Sequence, residues 1–431
     1  MTSATASTTK QDSASLPSHA VRDVSHTTCC IVGGGPGGMV LALLLARQGI
    51  DVTLLESHLD FDRDFRGDTV HPSTMELMDE LGLAEQILAL PHGVIHSATF
   101  QAGNAPFTPL DLRRLHTKFP YITMLPQVHL LNLLAQEAQR YPNFHLLMGA
   151  RVEELVVEAG TTCGVRYHHA DGWHELRAPL TVGADGRFSH VRRLMGVEPV
   201  KTSPPMDVLW FRLPRKLSDQ GEVFGQTGDG HMILFFNRPQ EWQVAYLIFK
   251  GTYAAIHDAG LPALQRSIAA LAPQVADRVN MLQDWKQISL LSVESSRVQR
   301  WYAPGILLIG DAAHVMSPVG GVGINYAIQD AVVAANRLTA PLKGGRVTVQ
   351  ELARVQRSRE WPTRIIQTFQ TIAQKLVVAR ALTSGNQSTI PLPVRLWLRI
   401  PVLRDLPARV IAFGVWPVHI APGLKAVGHS P

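Results

Sequence analysis

Apolar and polar positions near the start of the chain follow the order of a strand, a glycine-rich turn, a helix and a second strand. The run TTCCIV predicts a buried strand, GGGPGG is the turn, MVLALLLA opens an apolar helix, and DVTLLE predicts the next strand. This is the order of a βαβ unit, in which a helix connects two parallel strands. The chain is therefore predicted to have an α/β fold.

Two later apolar runs, LTVG and ILLI, also predict strands, and each leads through glycine and aspartate to a helical pattern. Between them, MDVLWFRLPR, HMILFFNRP and EWQVAYLIFKG are β-rich runs separated by turns, which predicts a second sheet. After residue 340 the pattern is helical, and Pro362 predicts a break between two helices. The chain thus combines an α/β part, a β-sheet part and a helical C-terminal region.

Composition places the chain among ordinary globular proteins. Its 431 residues are 46% hydrophobic, which is enough for one large domain or two interlocked domains. A formal charge of +5, with both signs mixed along the chain, allows anionic ligands and argues against nucleic acid as a partner. The three cysteines, Cys29, Cys30 and Cys163, predict neither a disulfide framework nor a metal site, so a cytoplasmic location is expected.

The two ends of the chain differ from its middle. Residues 1–26 are rich in Ser, Thr and Ala, which predicts a disordered leader. No apolar run reaches the length of a membrane span. In the C-terminal tail, large apolar residues are mixed with Arg395, Arg399, Arg404 and Arg409. This pattern suits peripheral membrane contact, uptake of a lipophilic substrate such as a quinone precursor, or packing on the α/β part of the protein, which we favour.

The first glycine-rich turn has the spacing of a dinucleotide-binding fingerprint. Gly33, Gly35 and Gly38 fill the G-x-G-x-x-G positions, with Pro36 and Gly37 between them. The first glycine permits a tight turn, and the second lets the backbone approach a pyrophosphate. The third lets the helix pack on the strand, with its N-terminus toward the negative charge. A glycine-rich turn in an unrelated α/β protein is the alternative interpretation.

The second strand ends at Glu56, which Ser57 follows, about twenty residues after the fingerprint. A carboxylate at this position accepts hydrogen bonds from a ribose and disfavours a ribose 2′-phosphate. FAD or NAD is therefore predicted at this site in preference to NADP. Because the strand, turn, helix and acid are all in register, we favour a nucleotide site over the unrelated turn.

In the order of these motifs, the chain resembles the single-component FAD-dependent aromatic monooxygenases with the fold of p-hydroxybenzoate hydroxylase, which are related to ubiquinone-pathway and polyketide hydroxylases. The resemblance covers approximately residues 27–340. It implies a Rossmann-like FAD-binding domain interlocked with a β-sheet substrate domain. The FAD-binding domain is expected at 27–100, 120–200 and 285–340, the substrate domain at 100–120 and 200–285, and the helical C-terminal region at 341–431.

The resemblance also assigns cofactor contacts by position. Arg66 matches an arginine that lies against FAD, and Gln127 matches a residue at the start of a helix that contacts the cofactor. Asp185 and Arg187 match a motif credited with binding FAD and reduced nicotinamide, and Asp311 matches an aspartate that contacts the ribityl chain. The expected cofactor residues are Gly33, Gly35, Pro36, Gly37, Gly38, Glu56, Ser57, Arg66, Gln127, Asp185, Gly310, Asp311, Pro318, Gly321, Gly323, Ile324 and Asn325.

The stretch VGGVGIN opens the helical pattern INYAIQDAVVAANRL. Reduced flavin carries negative charge on its pyrimidine edge, and backbone N–H groups at a helix N-terminus would stabilise that charge. Gly321, Gly323, Ile324 and Asn325 are the candidates for this contact. A plain glycine-rich helix entry is the alternative.

The resemblance implies a reaction. NADH or NADPH reduces the flavin, dioxygen forms a flavin hydroperoxide, and one oxygen atom hydroxylates an aromatic or polycyclic, lipophilic small molecule. No second G-x-G-x-x-G motif follows a strand between Asp185 and Gly310, so no separate nicotinamide domain is expected. The protein is expected to be a monomer or a homodimer. An FAD-dependent reductase, epoxidase or desaturase acting on an isoprenoid or quinone-like compound is the alternative function, and a non-catalytic flavin sensor is a third.

The β-rich segment offers candidates for the substrate side. Its aromatic residues suit either the lining of an apolar cavity or the core, and we favour the core. They are Trp210, Phe211, Phe235, Phe236 and Tyr246. Neither His231 nor His314 has the sequence pattern of a general base, so no catalytic residue is assigned.

Overall fold

The structure is a computed structural model of the chain, and the residues described are 21–62, 68–102, 105–202, 204–216, 219, 221–228, 230–238, 240–375 and 400–425. Most of the predicted leader, together with Arg66, Arg395 and Arg399, lies outside the described residues. The described residues form five sheets and several helices in a mixed α/β fold, as predicted. Within these ranges, none of the helices combines the length and the apolar content needed to cross a membrane.

The strands are numbered in chain order. They are β1 (Val24–His26), β2 (Cys29–Val32), β3 (Val52–Glu56), β4 (Thr69–Val70), β5 (Gly93–Ile95), β6 (Ser97–Ala102), β7 (Ala105–Asp111), β8 (Ile122–Met124), β9 (Phe144–Met148), β10 (Arg151–Glu158), β11 (Thr161–His169), β12 (Gly172–Arg177), β13 (Leu180–Gly183), β14 (Val200–Thr202), β15 (Met206–Pro214), β16 (Val223–Gly228), β17 (His231–Asn237), β18 (Glu241–Phe249), β19 (Ser289–Leu291), β20 (Ser295–Arg297), β21 (Tyr302–Ala303), β22 (Ile306–Leu308) and β23 (His314–Val315).

The helices are numbered in the same way. They are α1 (Pro36–Arg47), α2 (Pro72–Glu80), α3 (Ala84–Ala89), α4 (Gln127–Ala138), α5 (His190–Leu194), α6 (Tyr253–Asp258), α7 (Leu261–Leu271), α8 (Gly323–Lys343), α9 (Val349–Ala373) and α10 (Pro401–Phe413).

A six-stranded sheet forms the centre of the α/β part, in the order β21-β22-β13-β2-β3-β9. Its neighbouring strands pair in parallel, except that β21 is antiparallel to β22. Strands β2, β3 and β13 are buried along their whole length, as expected for a parallel sheet covered on both faces. The predicted βαβ unit is confirmed, and β2, α1 and β3 form it.

The β-rich runs form a seven-stranded sheet in the order β19-β15-β18-β17-β16-β6-β7. Because side chains alternate along a strand, this sheet has two different faces. Phe211, Phe235 and Tyr246 are buried on the face that packs against α7. Trp210 and Phe236 lie in a different apolar cluster and are only half-buried. The favoured core interpretation thus describes three of these aromatic residues, and the other two remain candidates for a cavity.

The helical C-terminal region differs from the sequence prediction at Pro362. Helix α9 runs without interruption from Val349 to Ala373, with Pro362 buried inside it, so the predicted break was wrong. A proline inside a helix removes one backbone hydrogen bond. Here buried polar side chains of α9 make hydrogen bonds to other parts of the protein.

Helix α10 and the residues after it pack on the rest of the chain. Ala408 and Ala412 are fully buried. Beyond the helix, the backbone N–H of Ile420 donates to a carboxylate oxygen of Glu80 (2.7 Å). These contacts support packing of the tail on the protein, which was the favoured interpretation.

Candidate functional site

The predicted motifs meet at one edge of the six-stranded sheet. Val32, Leu55, Gly183 and Leu308 are in register at the carboxyl ends of four parallel strands. The fingerprint, the acid and the two later glycine-aspartate motifs leave the sheet at these four points. Ligands of open α/β sheets bind outside the carboxyl ends of the strands, so this edge is the candidate functional site.

The glycines of the fingerprint meet different structural requirements. Gly33 has a φ of +107°, and a Cβ there would lie 2.5 Å from the carbonyl oxygen of Ala184. A Cβ at Gly38 would lie 2.0 Å from the carbonyl oxygen of Gly33. A Cβ at Gly35 would meet no protein atom within 4 Å. Packing therefore explains glycine at 33 and 38, whereas at 35 the backbone faces open space at the N-terminus of α1.

Gly37 and Gly310 allow α8 to approach the fingerprint. A Cβ at Gly37 would lie 3.0 Å from the carbonyl oxygen of Ala327, and a Cβ at Gly310 would lie 2.9 Å from the Ala327 side chain. The N-terminal ends of α1 and α8 therefore lie close together at the candidate site. Both ends favour negative charge.

Glu56 is buried, and hydrogen bonds reach both of its carboxylate oxygens. Oε2 accepts from the backbone N–H of Gly34 (2.8 Å), and Oε1 accepts from that of His58 (3.0 Å). The Nδ1 atom of His58 lies 2.6 Å from Oε1, and the Ser57 hydroxyl donates to the same oxygen (3.3 Å). The carboxylate thus joins the fingerprint turn to the end of β3. No sequence pattern would have identified His58.

Asp185 caps α5. Its carboxylate accepts hydrogen bonds from the Ser189 hydroxyl and from the backbone N–H groups of His190 (2.6 Å) and Val191 (3.0 Å). Ser189 is the N-cap residue of this helix, and its hydroxyl accepts from the backbone N–H of Arg192 (2.9 Å). Helix capping therefore explains the aspartate at this position without a ligand.

Two arginines that follow Asp185 have different partners. Arg187 donates to the carbonyl oxygen of Ser292 (3.1 Å), next to the seven-stranded sheet. Arg192 is buried and donates to the carbonyl oxygens of Ala312 (3.0 Å) and Asp311 (3.5 Å). Arg192 thus ties α5 to the Gly310–Asp311 turn, a role that its sequence neighbours do not indicate.

A buried ionic network supports the same turn. Asp330 in α8 is fully buried, and its Oδ2 accepts from the backbone N–H of Gly310 (3.0 Å) and lies 2.6 Å from Nε2 of His314. Its Oδ1 accepts from Nε of Arg359 (2.7 Å). Burial alone would raise the pKa of Asp330, but the charges and hydrogen bonds of His314 and Arg359 hold it below its usual value. The carboxylate is therefore ionised at neutral pH, and His314 has a structural role.

Residues 318–322 precede α8 and form a turn that we call the glycine loop. This loop packs against the segment that enters α2. The Thr69 hydroxyl and the Asn325 side-chain amide both donate to the carbonyl oxygen of Gly321 (3.0 and 3.3 Å). The Asn325 Oδ1 accepts from the backbone N–H of His71 (3.0 Å) and from the Thr74 hydroxyl (2.6 Å). Both the oxygen and the nitrogen of the Asn325 side chain are therefore engaged within the protein, which leaves its backbone as the candidate for a ligand.

His71 is a residue at this site that no motif predicted. It is fully buried at the N-terminus of α2, and its Nδ1 lies 2.7 Å from the carbonyl oxygen of Ile411 in α10. Because a carbonyl only accepts hydrogen bonds, Nδ1 carries the proton. Burial lowers the pKa of His71 to about 4, against the smaller opposing effects of the Ile411 and Gly321 backbones. The ring is therefore neutral at pH 7.

The depressed pKa of His71 predicts a stability that depends on pH. The unfolded chain binds a proton at this histidine near pH 6.5, whereas the folded chain does so only near pH 4. Stability therefore falls as the pH drops through this window, by about 3 kcal/mol in total. We expect His71→Gln to lose less unfolding free energy than the unmodified protein between pH 7 and pH 4, as measured by urea titration. The same loss in both proteins would contradict the assignment.

Glutamines on one side of α9 hold the chain that leads into the glycine loop. The side-chain amide of Gln367 donates to the carbonyl oxygen of Val315 (3.0 Å). That of Gln370 donates to the carbonyl oxygens of Ser317 (2.9 Å) and Val319 (2.7 Å). Both glutamines are buried. They are three residues apart and therefore lie on the same face of the helix. In the sequence they resemble a solvated polar face.

Gln127 begins α4, as predicted. In the same turn, His129 lines a cavity of about 140 Å³ together with Asp68 and Arg238. Arg238 is ion-paired with Asp68, and burial lowers the pKa of its guanidinium below the usual value. Asp68 directly follows the segment that carries Arg66. Arg238 is a charged residue of this region that the sequence motifs did not include.

The seven-stranded sheet presents a half-buried apolar face toward the glycine loop. Phe100, Trp210, Leu234 and Phe236 lie in one apolar cluster, and Val319, which directly precedes Gly320 in the loop, packs against the same cluster. All five are only partly buried. Large apolar side chains that stay partly accessible around a packed cluster are typical of a binding cavity.

The chain matches the family model described as an FAD binding domain over residues 26–360. It is 34% identical over 396 residues to a 6-methylpretetramide 4-monooxygenase of Streptomyces rimosus, an alignment that covers 91% of this chain and 93% of that relative. The chain belongs to the FAD-dependent monooxygenases. The resemblance noted in the sequence is thereby confirmed.

Two further proteins are similar to this FAD-dependent monooxygenase. One is a 12-dehydrotetracycline 5-monooxygenase/anhydrotetracycline 6-monooxygenase of Streptomyces rimosus, 29% identical over 334 residues, which are 73% of this chain and 63% of that relative. The chain thus spans less than two thirds of this second relative. The other is the solved structure of a probable FAD-dependent monooxygenase from Pseudomonas aeruginosa, with a TM-score of 0.72 at 21% identity over 85% of this chain and 100% of that one. At this identity the likeness shows the fold alone.

Membership of the FAD-dependent monooxygenases confirms the predicted cofactor and reaction class. The protein is an FAD-dependent hydroxylase, and NADH or NADPH is the co-substrate typical of the class. The relatives are monooxygenases, which favours hydroxylation over the reductase or desaturase alternative.

Proposed function

We propose that FAD lies along the carboxyl edge of the six-stranded sheet, with its pyrophosphate over Gly35. The space in front of Gly35, at the N-terminus of α1, suits a negatively charged group in close contact with the backbone. A side chain at this position would fill that space. The adenosine ribose would lie at Glu56, which the Gly34 N–H holds beside the fingerprint.

The flavin ring is proposed to lie at the start of α8, with its ribityl chain near Asp311. Bound FAD supplies electron transfer from NAD(P)H and the activation of dioxygen. The N–H of Gly321 already donates to Pro318 (3.0 Å). The N–H groups of Gly323, Ile324 and Asn325 are in the first turn of the helix, which leaves them for a ligand. Together with the helix dipole they would stabilise negative charge on the reduced ring.

The substrate is proposed to be a planar, polycyclic aromatic compound that binds between the flavin position and the seven-stranded sheet. The observation that carries this proposal is the half-buried apolar face that meets Val319. On this face the rings of Trp210 and Phe236 lie 5.8 Å apart and can pack against a third ring. The apolar side chains would also exclude water from the reacting oxygen. Two relatives named for 6-methylpretetramide and anhydrotetracycline point to the same class of compound.

Flavin reduction tests this function. The purified holoenzyme is mixed with NADH or NADPH in a stopped-flow instrument, with and without 2-naphthol, 9-phenanthrol or 1-hydroxypyrene. We expect at least one of these phenols to accelerate flavin reduction. Mass spectrometry should then show that this phenol has been converted to a product with one additional oxygen atom. Equal reduction rates with and without every phenol, and unchanged phenols at the end, would overturn the proposed substrate class.

Phe236→Ala should weaken binding of the phenol that stimulates reduction. The space between the flavin position and the seven-stranded sheet is called the substrate chamber below. Removing this ring deletes apolar contact on the wall of that chamber, and we expect the affinity for the phenol to fall by about tenfold or more. Leu290→Ala is the control, because Leu290 is 42% exposed in β19 and pairs with Leu209, which lies on the opposite face of the same sheet. Fluorescence titration of the oxidised holoenzyme measures both variants. Equal affinities in the two variants would place the substrate elsewhere.

The oligomeric state of the protein and its contact with membranes stay predictions. We propose a monomer or homodimer in solution, which size-exclusion chromatography with light scattering measures. For the C-terminal tail, the buried Ala408 and Ala412 support packing on the protein. Co-sedimentation with anionic lipid vesicles would reveal membrane contact in addition.

A further inference from the structure

We propose that Ile411 in α10 forms part of the wall of the substrate chamber and sets the size of the ring system that the enzyme accepts. This inference rests on the substrate class proposed above. Helix α10 begins at Pro401, beyond the residues 26–360 that match the FAD binding domain. A segment outside the shared domain thus contributes to specificity in this chain.

The side chain of Ile411 lies beside the glycine loop. A Cβ placed on Gly320 would lie 3.5 Å from Cγ1 of Ile411, so the space next to this glycine is bounded by the isoleucine side chain. The carbonyl oxygen of Ile411 lies 2.7 Å from Nδ1 of His71. The backbone N–H of His71 in turn donates to Asn325 at the start of α8 (3.0 Å). The position of Ile411 is therefore fixed relative to the proposed flavin site.

Helix α10 also packs on the substrate sheet. Ala408 and Ala412 are buried in an apolar cluster, and the half-buried Ile411 packs against the same cluster. Phe100 and Phe236 pack both against this cluster and against the half-buried face that meets the glycine loop. Ile411 therefore lies where the glycine loop and the aromatic face of the sheet come together.

The helix has little freedom to move away and admit a larger ligand. Its two buried alanines lie in close contact with their neighbours. At its C-terminal end, Gly414 has a φ of +74°, and a Cβ there would lie 3.2 Å from the Tyr326 hydroxyl. With the backbone held on both sides, the volume of the side chain at 411 translates into the depth of the chamber. One methylene in an apolar pocket changes selectivity by about tenfold to 200-fold.

Two opposite substitutions at one position test the inference. Ile411→Ala and Ile411→Phe are purified as holoenzymes, and their FAD content is checked by absorbance. Dissociation constants for 2-naphthol and 1-hydroxypyrene are measured by ligand fluorescence without NAD(P)H. We expect Ile411→Ala to raise the preference for 1-hydroxypyrene over 2-naphthol by about tenfold, and Ile411→Phe to lower it by a similar factor. Leu406→Ala is the control, because Leu406 is on the same helix and 45% exposed.

Opposite shifts exclude a general loosening of the structure, which would weaken both ligands in both variants. If the preference is unchanged, or moves in the same direction in both variants, the role of Ile411 is overturned while the aromatic chamber stands. If the unmodified protein binds neither phenol, the proposed substrate class is overturned and the role of Ile411 with it.

Discussion

Gly35→Ala is expected to fold like the unmodified protein and to bind FAD about 100-fold more weakly. The backbone at Gly35 has φ −70° and ψ 178°, which any residue adopts. A Cβ there meets no protein atom within 4 Å, so the substitution causes no steric clash within the protein. The methyl group would instead occupy the space proposed for the pyrophosphate. One or two hydrogen bonds to a charged group, of about 1.5–3 kcal/mol each, would be lost.

Titration of the apoprotein with FAD measures this effect, and circular dichroism reports the fold. Gly423→Ala is the matched control, because a Cβ at Gly423 also meets no atom within 4 Å and this glycine lies far along the chain from the fingerprint. Gly38→Ala should behave differently and reduce the yield of folded protein, since its Cβ would lie 2.0 Å from the Gly33 carbonyl oxygen. Unchanged FAD affinity in Gly35→Ala would contradict the proposed position of the pyrophosphate.

Asp330→Asn is expected to lower the free energy of unfolding by about 3–5 kcal/mol. The carboxylate accepts hydrogen bonds from Gly310 and Arg359 and faces His314. An asparagine has one acceptor oxygen, and its amide N–H groups would face donors. The guanidinium of Arg359 would remain fully buried without its counter-charge. FAD affinity should fall as well, because the Gly310–Asp311 turn loses its support.

Urea unfolding and FAD titration check this prediction side by side. The control is Asp405→Asn, since Asp405 is half-exposed and pairs with Arg114 (3.4 Å) and Arg404 (3.1 Å) at the surface. Surface pairs of this kind contribute about 0–1 kcal/mol. Because the pKa of Asp330 is below its usual value in the folded protein, the network's contribution is present at neutral pH and lost as the pH falls through the acid range. Equal free energies of unfolding in the two variants would show that Asp330 does not stabilise the fold in this way.

The parts of the site that depend on neighbouring residues could be predicted from the sequence. The strand, turn, helix and acid of the βαβ unit lie within residues 27–56 and have a fixed spacing. The structure brings the turn and the acid of this unit together, since the backbone N–H of Gly34 donates to the carboxylate of Glu56 (2.8 Å). The parallel strands that follow the same pattern then deliver Asp185 and Asp311 to the same edge of the sheet.

The residues that support the site could not be predicted, because their partners are distant in the sequence. His71 and Ile411 are 340 positions apart, and Gln370 meets Val319 across 51 positions. No periodic pattern records such pairs. The same kind of contact explains the error at Pro362, where tertiary bonds along α9 outweigh the local tendency of proline to end a helix.

The sequence could have predicted which of the aromatic residues share a face of the sheet. Trp210 and Phe211 are adjacent in β15, and Phe235 and Phe236 are adjacent in β17. Since neighbouring residues of a strand point to opposite faces, each pair has to contribute one ring to each side of the sheet. Only the identity of the buried side needed the structure.

Isotope labelling tests the proposed hydroxylation most directly. The holoenzyme is supplied with NADH or NADPH, with the phenol that best stimulates flavin reduction, and with ¹⁸O₂ in unlabelled water. We expect a product that contains one ¹⁸O atom, formed in proportion to the coenzyme consumed. A product whose new oxygen comes from water, or coenzyme oxidation that leaves the phenol without a new oxygen, would contradict hydroxylation of this substrate class.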